Sequence, residues 1–100
     1  MSTAQTLLEK ITAKSKTKTT LTIAGVDFTF HLDSAAYDTM VNDIEGNNKV
    51  TPIKDYLLAI VDPAQKEEFA PLLQVTGLAL QVAKSVNEQL IPKVEITVKN

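Results

Sequence analysis

The stretch from Thr17 to Leu32 constrains this chain most, because its apolar residues recur at every second position. Leu21 and Ile23 alternate with Thr20 and Thr22. Val26, Phe28, Phe30 and Leu32 then alternate with Asp27, Thr29 and His31. A period of two puts one side chain in each pair on a buried face and the other in water, which is the pattern of half-buried strands. Ala24-Gly25 separates the two runs and serves as the turn. Pairing Ile23 with Val26 sets Leu21 opposite Phe28 and keeps every apolar residue on one face, and a slip of one residue would scatter them. A primed two-residue turn wants a left-handed first residue, for which alanine is a poor choice, so the turn type stays open.

Beyond Leu32 the period changes to that of helices. Asp33 and Ser34 are two candidate N-caps. Tyr37, Met40, Val41 and Ile44 follow at helical spacing, and Gly46 is a natural C-cap. Thr51 reads as the next N-cap, with Pro52 at the first helical position, and Ile53, Tyr56, Leu57, Ile60 and Val61 form its buried stripe. Asp62-Pro63-Ala64-Gln65 repeats the start signal, with Gln65 placed to complete a capping box. Pro71 predicts a break near Ala70, since an interior proline costs ~3 kcal/mol. A last helix is predicted over Thr76 to Leu90, with Val75, Leu78, Ala79, Val82, Val86 and Leu90 as its stripe and Leu80, Ala83 and Ile91 widening it. Pro92 ends it. Val94, Ile96 and Val98 then alternate with Lys93, Glu95, Thr97 and Lys99, which predicts a third strand joining the hairpin.

These elements predict one α+β domain spanning residues 1–100: a hairpin plus a C-terminal strand in a small antiparallel or mixed sheet, packed on three or four helices. Residues 1–16 read as an N-terminal helix, with Leu7, Leu8 and Ile11 on one side, running into a flexible Lys- and Thr-rich linker. With 44% hydrophobic but only 5% aromatic residues, the core must be mostly aliphatic. A chain of this size buries about 65% of its unfolded surface, so stability is expected to be modest or helped by self-association.

Composition also narrows function. A net charge of −2 argues against a nucleic-acid binder, which would present a basic face. With no cysteine there is neither a disulfide nor a thiolate metal site, which fits the cytoplasm. No apolar run approaches the ~20 residues that span a bilayer, and the start MSTAQTLLEK lacks a signal core, so neither membrane insertion nor secretion is expected. His31 is the sole histidine and falls on the polar side of its strand near Lys18, with no nucleophile arranged beside it. None of the carboxylates lies in an apolar run that would tune it for acid–base work. Asp38, Asn42, Asp43 and Glu45 match no calcium-loop spacing, and three glycines make no phosphate loop. The expected activity is binding, not catalysis, with no cofactor.

One segment is richer in Asn, Lys, Pro and aromatic residues than a plain helical hairpin requires: YDTMVNDIEGNNKVTPIKDYLLAIV, Tyr37 to Val61. Together with the ending VNEQLIPKVEITVKN it resembles the tail assembly chaperones of long-tailed phages and prophages. Tyr37, Asn42, Asn48, Lys49, Val50, Pro52, Tyr56 and Leu57 carry the resemblance, which runs from about Phe28 to the C-terminus. Asp55 stands where the family pattern has Asn, and Asp43-Ile44 where it has Glu-Met. The resemblance implies a chaperone that works in the host cytoplasm and is absent from the finished virion. Its implied partners are the tape-measure protein, which it keeps soluble, the tail-tube protein, and further copies of itself. Asn47, Asn48, Lys49, Tyr56 and Leu58 are the candidate contact residues. The plainer roles of these residues are a helix cap and turn for Gly46-Asn47-Asn48, and a core aromatic with its hydroxyl at the surface for Tyr56. Leu58 falls off the main stripe. Such chaperones often have a longer product made by a −1 frameshift, and Val98-Lys99-Asn100 can be encoded GUA AAA AAC, which contains the slippery run. The competing reading is a homo-oligomeric adaptor domain with no phage role, distinguished by the genes beside it. A nucleic-acid role for Lys10, Lys14, Lys16 and Lys18 would show as salt-dependent DNA retention.

Overall fold

In the computed structural model, which describes residues 3–12 and 16–99, the chain is α+β. Its elements are α1 (Thr3–Thr12), β1 (Lys18–Ile23), β2 (Val26–His31), α2 (Ser34–Asp43), α3 (Val50–Ile60), the short α4 (Lys66–Phe69) and α5 (Leu78–Leu90), with 3₁₀ turns at Pro63–Gln65 and Ala70–Gln74.

β1 and β2 form an antiparallel hairpin in the predicted register, Ile23 opposite Val26 and Leu21 opposite Phe28. Ala24 and Gly25 have φ of 50° and 84°, so both turn residues are left-handed and the turn is of the primed type whose twist matches the strands. An alanine there carries a steric cost of about 1–2 kcal/mol that glycine or asparagine would relieve. The inner face of the hairpin is capped by α4. Phe69 lies 5.4 Å from Phe28 and 5.3 Å from Phe30, centroid to centroid, the second pair edge-on. Around this aromatic group Leu57 and Ile60 of α3 and Val82, Val86 and Leu90 of α5 complete a largely aliphatic core, which Tyr56 also joins.

Local cues settle most element ends. Asp33, the first of the two candidate caps, accepts a hydrogen bond from the Ala36 amide at 3.0 Å and starts α2. Asp62 does the same for the Ala64 amide ahead of Pro63. The chain changes from α-helix to 3₁₀ at Ala70, beside Pro71, as an interior proline requires.

Five expectations are corrected. Gly46 is not the C-cap of α2; Ile44 is, and Gly46 lies inside a tight turn closed by reciprocal backbone bonds between Glu45 and Asn48. Thr51 does not cap α3, which begins at Val50 with Pro52 buried in its first turn. Gln65 forms no capping box. Its Oε1 accepts from the Thr29 amide and its Nε2 donates to the Asp27 carbonyl, both at 2.8 Å, because β2 had unpaired backbone groups within reach. Val75 and Leu80, expected on the buried stripe or its flank, are 56% and 49% exposed.

The fifth correction is the C-terminal strand. The sheet has two strands, and residues 92–99 take no regular secondary structure. Ile96 and Val98 stay 85% and 82% exposed. The outer edge of β2 is already occupied: Asp62 donates to the Thr29 carbonyl, Gln65 covers the next groups, and Phe30 bridges to Val61.

Candidate functional site

The α2–α3 turn is where the sequence-predicted contact residues gather. The Glu45–Asn48 bridge holds a two-residue tip, Gly46-Asn47, away from the core, and Asn47, Asn48 and Lys49 are all exposed. α3 starts immediately afterwards, so Val50 is fixed at the rim of the same turn. Facing it, Gly77 takes a left-handed φ of 80° and bends the chain into α5. The bend sets Val75 and Leu80 beside Val50 and Lys54 around a groove of about 260 Å³. Val50, Val75 and Leu80 remain about half exposed, and they form an apolar cluster next to a polar, cationic loop.

Tyr56 and Leu58 lie apart from this solvent-facing cluster. Tyr56 is 3% exposed. Its hydroxyl donates to Asn87 Oδ1 at 2.9 Å, and its ring sits tilted against Tyr37 at 6.1 Å. Burial, with smaller contributions from Tyr37 and Asp33, pushes the phenol above its ordinary pKa, so it remains a neutral donor that ties α3 to α5. One side of it forms the wall of a groove of about 470 Å³, with Leu32, Tyr37, Ile91 and Pro92. Leu58 is half-buried against the core. Asn47, Asn48 and Lys49 are therefore free to touch a partner, whereas Tyr56 and Leu58 act from within the domain. Helical periodicity alone does not mark Val75 and Leu80 as exposed residues. The available signal was that Leu80 falls between Ala79 and Val82 of the α5 stripe and so points elsewhere.

His31 Nε2 lies 3.2 Å from Asp62 Oδ2 on the polar side of the hairpin. The Ala64 amide and then His31 hold the Asp62 carboxyl below its usual pKa. This pair fastens β2 to the start of the 3₁₀ turn. Among the described residues no group of three or more His, Cys, Asp or Glu side chains could hold a metal ion. No helix among them is long and apolar enough to cross a membrane.

A protein from the lys 3′ region of Haemophilus phage HP1 (strain HP1c1), of 11.3 kDa, is 61% identical over 97 residues, covering 97% of this chain and 95% of that one. No solved structure shows a significant match. The family model for phage tail assembly chaperones matches residues 19–100, which takes in the hairpin, the α2–α3 turn and the exposed C-terminal segment but leaves out α1. With the match spanning the whole core, this chain belongs to the phage tail assembly chaperone family.

Proposed function

We propose that this protein binds apolar stretches of a tape-measure protein in the host cytoplasm, keeps that protein soluble, and helps recruit tail-tube subunits as the tail assembles. The observation that carries the reading, together with family membership, is the half-exposed cluster of Val50, Val75 and Leu80 beside Asn47, Asn48 and Lys49. A helix with an apolar stripe would lay that stripe against the cluster, and the polar loop would meet its flank. Tyr56 and Leu58 support the surface from behind, by fixing α3 against α5 and the core.

Magnitudes say how such binding has to work. Fully burying one aliphatic side chain is worth about 1.5–3 kcal/mol, and these three are already half buried. One copy would then gain a few kcal/mol before the cost of association, which leaves weak binding. Many copies along one long partner overcome this through high effective concentration.

Co-expression with a tape-measure protein tests the proposal, with Leu80→Asp and Lys49→Glu as variants on the exposed surface. The expected result is a soluble tape-measure protein that carries many copies of this chain and is lost from the soluble fraction with Leu80→Asp. An insoluble tape-measure protein with nothing bound would overturn the reading and leave the adaptor alternative.

A further inference from the structure

The hairpin has two edges, and only one is finished. The Leu32 amide donates to the Thr17 carbonyl, and the Thr29 carbonyl accepts from Asp62. In an antiparallel ladder the residues alternate between bonding inward and bonding outward. Thr19, Leu21 and Ile23 therefore bond across to β2, and Lys18, Thr20 and Thr22 turn their N–H and C=O groups outward. The matching outward groups of β2 are taken up by Asp62 and Gln65. Among the described residues no backbone group pairs with the outward groups of β1. An open edge of this kind is a template for another strand.

The same chain carries a strand without a sheet. Residues 93–99 alternate Lys, Val, Glu, Ile, Thr, Val, Lys, and all are exposed. They leave the domain at Pro92, which lies with Thr17 and Leu32 around the groove of about 470 Å³. The molecule is accordingly drawn out: its radius of gyration is 15.7 Å and its longest dimension 47 Å, where a compact chain of this length has a radius of about 13 Å. Extended at about 3.3 Å per residue, the segment is long enough to cover all of β1.

We propose that residues 93–99 of one copy add as a strand to the free edge of β1 in a second copy, joining copies head to tail. Three features select this occupant. Opposed residues in paired strands share a face, so Val94, Ile96 and Val98 would fall on the side of Leu21 and Ile23. On that side a groove of about 330 Å³ runs between β1 and α5, lined by Leu21, Ile23, Leu78 and Val82. The other side of the segment would bring Glu95, its one acidic residue, to the face that carries the exposed Lys18. Each copy offers one arm and one edge, so the contact is heterologous and continues from copy to copy unless the rotation closes a ring. The inference rests on the edge and the arm, not on the chaperone reading, and its test needs no tape-measure protein.

The test is the mass of the purified full-length chain by light scattering over a wide concentration range. The expected result is an average mass that rises with concentration to several times the 10.9 kDa of one chain. Ile96→Asp should hold the mass at that of one chain, because it places a charge on the face that the groove beside β1 would bury, at a residue too exposed to affect folding. A wild-type mass that never rises, or an Ile96→Asp mass that rises as the wild type does, overturns the proposal. The chain has no cysteine of its own, so cross-linking gives a clean second readout. Chains carrying Thr20→Cys mixed with chains carrying Thr97→Cys should form a disulfide between the two. If one chain carrying both substitutions closes on itself at high dilution and the mixture does not cross-link, the arm belongs to its own sheet and the proposal fails.

Discussion

The hairpin and the C-terminal arm carry the same alternation of apolar and polar residues, yet one is a folded strand pair and the other stands in solvent. Phe28 and Phe30 are 3% and 0% exposed, whereas Ile96 and Val98 are above 80%. Alternation states that a segment has one face to bury. It does not state that a partner is available. β2 finds β1 across a two-residue turn at little entropic cost, and Phe69 then covers the shared face. The arm follows thirteen residues of α5, and the outer edge of β2 is already closed by Asp62 and Gln65.

The sharpest way to break this comparison is to cut equivalent apolar side chains from each region. Phe30→Ala should lower stability by about 3–5 kcal/mol in urea unfolding, enough to unfold much of a small domain. Ile96→Ala at the same low concentration should stay within about 0.5 kcal/mol of the parent. A large loss from Ile96→Ala in the isolated chain would mean that the arm is packed, and the contrast would disappear.

A smaller effect separates the finished edge from the open one. Gln65→Ala removes two hydrogen bonds to β2 and leaves the Thr29 amide without its partner, a loss of about 1–3 kcal/mol in the same unfolding assay. Thr20→Ser on the open edge should change stability by less than about 0.5 kcal/mol, since the side chain is exposed and serine keeps the hydroxyl that bonds that of Thr29. Equal losses at the two sites would show that the edges are alike. The turn that brings the strands together is sensitive by less again. Gly25→Ala should cost about 1 kcal/mol, because φ of 84° suits glycine. Ala24→Asn should raise the midpoint of thermal unfolding by relieving strain at φ of 50°.

The smallest expected effect is on pH. The Asp62 carboxyl has a lowered pKa in the folded chain, so its contribution is present above the ordinary carboxylate pKa of about 4 and fades as pH falls through the folded value. Thermal unfolding of the parent and of Asp62→Asn should therefore differ near neutrality and converge in acid. A difference that persists unchanged in strong acid would show that the effect comes from packing and not from the charge.

The family resemblance was legible because the Tyr37–Val61 segment is richer in Asn, Lys, Pro and aromatic residues than a helical hairpin requires, and the family model also spans it. The surface beside it was not legible. Val75 stands four residues past Pro71, and the bend at Gly77 decides which way it points. Helical spacing describes a face relative to its own helix and contains no information about where a bend re-aims it.

By itself the sequence determined the hairpin register, the Asp62 cap, the break beside Pro71 and the absence of thiol chemistry, because each depends on residues a few positions apart, and it narrowed the cap of α2 to Asp33 or Ser34. Tertiary structure alone decided that Gln65 would close β2 instead of capping a helix, that Val50, Val75 and Leu80 would share one groove, and that residues 93–99 would stand outside the sheet of their own chain. Those outcomes depend on which backbone groups and apolar faces are still unsatisfied once distant segments meet, and that competition is decided in space.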